Sequence, residues 1–166
     1  MVPEKTIEEL RLEEYDSLLL PGALDIREVI EDEKILSFIR KFDGMPVGAI
    51  SIAPLLLLKA GMLKGKPFMA GVNAEDLFEE GYTKEDLALM KGWNDSIRNP
   101  VPEGYIRSGK IVTSISRKFY PMDSGIRRIA GTFGASGDVR IIMRNTNPAY
   151  KNPYCLLTSG NLSVIV

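Results

Sequence analysis

Along the first part of the chain, apolar residues alternate between two rhythms. A short unbroken run, Ser17 to Leu20, stops at Pro21-Gly22, which reads as a buried strand closed by a turn. From Ile26 to Phe42 the apolar positions spread out. Ile35, Phe38, Ile39 and Phe42 fall three or four apart, the spacing of one helix face. Asp43-Gly44 ends that helix with a glycine C-cap. Pro46 to Ile50 is a second unbroken run and predicts a second strand. Pro54 to Ala60 predicts a second helix, with Pro54 in the first turn, where its missing N–H costs nothing, and Gly61 at its end. Strand, helix, strand, helix is the order of a parallel sheet with helices on its faces.

The rhythm continues less regularly. Lys66 to Val72 ("KPFMAGV") is a third short strand candidate. Asn73 to Gly92 holds two acidic segments that read as short helices, and "YIRSGKIVTSIS" carries a hairpin signal at Ser108-Gly109. At the start of the chain, Thr6 and Glu9 have capping-box spacing and predict a short helical turn or a solvated acidic entry. Beyond Arg117 the pattern breaks into a Gly- and Ser-rich segment, two strand-like runs ("VRIIMR" and "YCLLTSGNLSVIV") and the loop "NTNPAYKNP".

Composition narrows the function classes. The 166 residues suit one domain of ordinary size. Apolar residues make up 45%, charged residues 26%, and the formal net charge is −1, which predicts neither a nucleic-acid nor a membrane-surface partner. One cysteine, Cys155, and no histidine leave no disulfide framework and argue against a zinc or transition-metal site, so neither metal nor cofactor is expected. The N-terminus is acidic and lacks the apolar core of a secretory signal, and no apolar run approaches the ~20 residues of a membrane span. A cytoplasmic location is therefore expected.

The candidate chemistry sits where the second strand feeds the second helix. A sharp turn there holds its apex residue, Ser51, in a strained and exposed position, and the following helix start offers free N–H groups and a positive dipole end. A second donor would come from Gly22-Ala23 if the two strands are neighbours. Two readings stand: an oxyanion-type pocket between Gly22-Ala23 and Ser51-Ile52, or two ordinary strand-to-helix turns. Elsewhere, Cys155 reads as a core residue or a reactive thiol, and Trp93 as a pocket wall or a partly buried aromatic. Ile126 to Arg128 reads as a phosphate contact or a solvated basic turn.

Three stretches, "YDSLLLPGA", "GMPVGAISIAPLLLLKAGMLKGKPFMAG" and "YIRSGKIVTS", resemble the DJ-1/PfpI family, within the class I glutamine amidotransferase-like fold. The resemblance runs from Tyr15 to about Ser116. It implies an α/β three-layer sandwich with a mostly parallel central sheet, spanning residues 1–166 as a single domain with 117–166 as an atypical tail. It also implies self-association as a dimer. The family pattern has a cysteine at the elbow, usually followed by histidine; here these positions are Ser51 and Ile52. The second glycine of the family's turn is Ala23. The family's first strand, expected beside the elbow strand, would precede Tyr15, where this chain has 14 residues. An open edge on the elbow strand is therefore expected, to be filled by the tail strands or by a second copy.

These departures bear on activity. The family's cysteine works as a thiolate, whereas a serine needs a general base within hydrogen-bond reach. Without histidine that base would be a lysine or a carboxylate, and Lys59, Lys64 and Lys66 are near in sequence. The expectation is a member that has lost the cysteine chemistry and binds a small or anionic ligand, or acts as an oligomeric scaffold. The alternative is a hydrolase or amidase using Ser51 as nucleophile.

Overall fold

The computed structural model describes residues 5–22, 26–27 and 29–115, together with the backbone of three strands at 142–145, 154–159 and 162–165. The opening strand-helix-strand-helix order is present. β1 (Lys5–Thr6) leads through two 3-10 turns to β2 (Tyr15–Leu20). Helix α1 (Glu33–Arg40) starts at Asp32, whose side chain accepts from the Lys34 N–H, and it buries Ile35, Leu36, Phe38 and Ile39. β3 (Val47–Ile50) feeds α2 (Pro54–Lys59). Four consecutive leucines make α2 apolar on every side, and all of Leu55 to Leu58 are buried, as a helix without a polar face must be. Phe38 and Phe42 add an edge-to-face pair at 5.5 Å.

The chain continues through β4 (Phe68–Met69), α3 (Ala74–Phe78), α4 (Lys84–Leu87) and β5 (Met90–Lys91) to α5 (Trp93–Arg98), then the hairpin β6 (Ile106–Ser108) and β7 (Ile111–Ser114). β4 and β5 pair in parallel as a small separate sheet. A capping box occurs at Thr83 and Asp86. Hydrogen bonds from the Thr83 side chain and backbone hold the Asp86 carboxyl below the ordinary carboxylate range. The N-terminal segment forms a 3-10 turn at Ile7–Glu9.

The fold is α/β, and the centre of the main sheet is parallel, as the order of elements requires. β3 pairs in parallel with β2 on one side and β7 on the other. This corrects the expectation of an open edge on the elbow strand. The hairpin supplies β7, and four residue pairs from Val47↔Ile111 to Ile50↔Ser114 close that side. The outer edge is that of β2, and β8 (Ile142–Asn145) covers it in antiparallel sense. β9 (Tyr154–Ser159) pairs with β8, with β10 (Leu162–Ile165) and with β1. The tail strands thus join the main sheet, beside β2 and not beside β3. Among the described residues no helix is long and apolar enough to cross a membrane.

Candidate functional site

The C-terminal ends of β2 and β3 lie side by side, so the turns that follow them meet. Ser51 sits at the apex after β3 with φ 60° and is the one non-glycine residue with positive φ among those described. A left-handed backbone costs an L-residue about 1–2 kcal/mol, so the surroundings must hold it. The Ser51 N–H donates to the Ser114 carbonyl at 2.9 Å, extending the β3–β7 ladder, and the Ser51 carbonyl accepts from the Gly71 N–H at 2.7 Å. The Ala53 N–H closes the turn onto the Ile50 carbonyl at 3.1 Å.

Two glycines press on this apex. A Cβ on Gly22, itself at φ 89°, would lie 2.7 Å from the Ile50 carbonyl oxygen and 2.9 Å from the Ser51 Cβ. A Cβ on Gly71 would lie 3.0 Å from both the Ile115 carbonyl oxygen and the Ser51 Cα. Real side chains do not fit at the Gly22 distances, so that position needs a residue without Cβ, and a Cβ at Gly71 would force its backbone neighbours to shift by a few tenths of an ångström. The elbow is a backbone clasp, with Gly22 and Gly71 closing on Ser51. Sequence reasoning found Gly22 but missed Gly71 and the Ser114 carbonyl. The only local signal for Gly71 was its place at the end of the buried run Phe68–Ala70.

The predicted donors fare unequally. The Ser51 N–H is already committed to Ser114. That leaves the Ile52 N–H, which no acceptor among the described residues takes up. Gly22 stands where it was expected, and Ala23 lies outside the described residues. Ile52, half-buried, packs against the hydrophobic core, and Leu55 below it is fully buried.

No described side chain hydrogen-bonds the Ser51 hydroxyl, and of the three lysines near it in sequence two are engaged elsewhere and one is exposed. The Lys59 ammonium donates to the Glu31 carboxylate and sits 5.0 Å over the Tyr82 ring; burial pushes the Tyr82 phenol well above its usual range. The Lys66 ammonium donates to the Met62 carbonyl at 2.9 Å. Lys64 is exposed, and its charge acts on Asp86. Of the remaining candidates, Trp93 opens α5 and is 42% exposed. Cys155 lies on β9, opposite Met143. Residues 126–128 lie outside the described residues.

The DJ-1/PfpI family model matches residues 1–121. The chain is similar to Deglycase PfpI of Pyrococcus furiosus, 34% identical over 73 residues, covering 43% of this chain and 44% of that protein. It is also similar to Protein/nucleic acid deglycase 2 of Escherichia coli, 36% identical over 69 residues and 40% of each chain. A solved two-domain protein from Anabaena variabilis, with DJ-1/ThiJ/PfpI-like and ferritin-like domains, aligns with TM-score 0.47 at 18% identity. That alignment covers 68% of this chain and 28% of the other. The chain thus spans less than half the length of these two curated relatives.

Proposed function

The chain belongs to the DJ-1/PfpI family, and we propose that it keeps the family elbow as a pocket for a small or anionic ligand while having lost the cysteine-dependent chemistry. The observation that carries this reading is the Ser51 hydroxyl. It sits at the strained apex with no base bonded to it among the described residues, and an unactivated alcohol is a poor nucleophile at neutral pH. The backbone clasp is intact, and the Ile52 N–H is a donor for a ligand oxygen.

A second reading, hydrolysis with Ser51 as nucleophile, is favoured by its φ of 60°, since strain of this kind gathers at functional sites. One experiment separates the two. The purified protein, Ser51→Ala and Ser51→Cys are treated with a fluorophosphonate probe and assayed for ester hydrolysis and glyoxal turnover. The proposal expects no labelling and no turnover by the natural chain, and glyoxal turnover gained in Ser51→Cys. Labelling of the natural chain that disappears in Ser51→Ala would establish the hydrolase reading instead.

A further inference from the structure

The opposite end of the main sheet carries a cleft that the elbow does not use. Its walls come from three connections: Asp43–Met45 before β3, Gly65–Pro67 before β4, and the β6–β7 turn from Arg107 to Ile111. The cleft is open and has a volume of about 610 Å³, within the range of small-molecule sites.

The three connections are fastened to one another. The Lys110 ammonium donates to the Gly44 carbonyl at 2.7 Å, the Ser108 hydroxyl donates to the Pro67 carbonyl, and the Val47 N–H donates to the Lys110 carbonyl at 3.0 Å. Each connection turns at a glycine with positive φ: Gly44 at 80°, Gly65 at 68° and Gly109 at 64°. Side chains are therefore absent from the tips of all three turns.

Charge distinguishes this cleft. Lys66, Arg107 and Lys110 line it, with Asp43 as the single carboxylate among the lining residues. The bonds that Lys66 and Lys110 make go to neutral carbonyls, Met62 and Gly44, which orient an ammonium without neutralising it. Arg107 is exposed, and no partner for it is found among the described residues. A chain of net charge −1 thus gathers three cations, none ion-paired among the described residues, and one carboxylate around one concave surface. Packing does not require this, because like charges held together repel. A bound polyanion relieves that repulsion, and a guanidinium beside two ammonium groups suits the several oxygens of a phosphoryl group.

We propose that this cleft binds a phosphorylated small molecule, with Lys66, Arg107 and Lys110 on the phosphoryl oxygens and the rest of the ligand along the glycine turns. The inference does not depend on the elbow reading, since the two sites share no residue.

The test is titration of the full chain with inorganic pyrophosphate, followed by calorimetry and by 31P line broadening at low salt. Saturable binding is expected, weakened about tenfold in Arg107→Ala and again in Lys66→Met. Arg107 has no described partner to lose, so its variant is expected to melt at the temperature of the natural chain, and a lost signal then reports the site and not the fold. No binding at millimolar pyrophosphate would overturn the proposal. So would binding that both substitutions leave unchanged, or binding that equal concentrations of chloride abolish.

Discussion

The two ends of the main sheet are made of different materials, although β3 and β7 run through both. At the elbow end the parts are backbone: a serine at φ 60°, two glycines pressed on it, and carbonyls from Ser114 and Ile115. No charged side chain bonds the apex among the described residues. At the other end the parts are charges, Lys66, Arg107 and Lys110, on loops with open space around their glycines. One end fixes a conformation to within tenths of an ångström, which backbone packing does well. The other presents a field, which needs only that cations share a concave surface. The binding proposed at the elbow is therefore expected to be sensitive to shape, and the binding proposed at the cleft to charge.

Glycine substitutions probe this contrast most strongly. Gly22→Ala pairs a positive φ with a backbone oxygen 2.7 Å away, and it is expected to cost about 3 kcal/mol in urea unfolding. Gly109→Ala meets nothing within 4 Å, so it bears only the left-handed strain, about 1 kcal/mol in the same measurement. Equal losses at the two sites would break the comparison, because the elbow would then be no more closely packed than a surface hairpin. The smallest effect has the opposite sign. Ser51→Gly relieves the strained φ and is expected to stabilise the chain by up to about 1 kcal/mol, an entropic cost of glycine being set against the gain. Destabilisation by that variant would mean that the Ser51 side chain contributes packing that its strain conceals.

Much of this was legible from residue order. Helix α1 announced itself through Ile35, Phe38, Ile39 and Phe42, and the elbow through a buried run that ends at Ile50, four positions before Pro54 opens the next helix. Gly22 was found because Pro-Gly after an apolar run has a local meaning. Gly71 was not, because what it touches is Ser51, twenty positions earlier, and a single sequence carries no mark of such an approach. Helix α5 was also missed: Trp93 and Ile97 are 42% and 63% exposed, so its apolar residues mark no buried face. The second neighbour of the elbow strand, β7, was missed for a related reason. The pattern Ile111–Ser114 predicts a strand, but nothing in it says that the strand lies parallel to Val47–Ile50.

The pairing of β8 with β2 has a consequence for how the protein is made. The strands β2, β3 and β7 are all synthesised by Ser114, whereas β8 begins at Ile142. At cellular rates of roughly 5–20 residues per second, the outer edge of β2 waits on the order of seconds for its partner. During that interval a nascent chain offers Leu18 to Leu20, buried once folding is complete, beside an unpaired strand edge, the surface on which strands from other chains add. Slow translation between positions 115 and 142, or crowding of several ribosomes on one message, would lengthen that exposure. The yield of correctly assembled protein would then be decided by timing before any ligand is met.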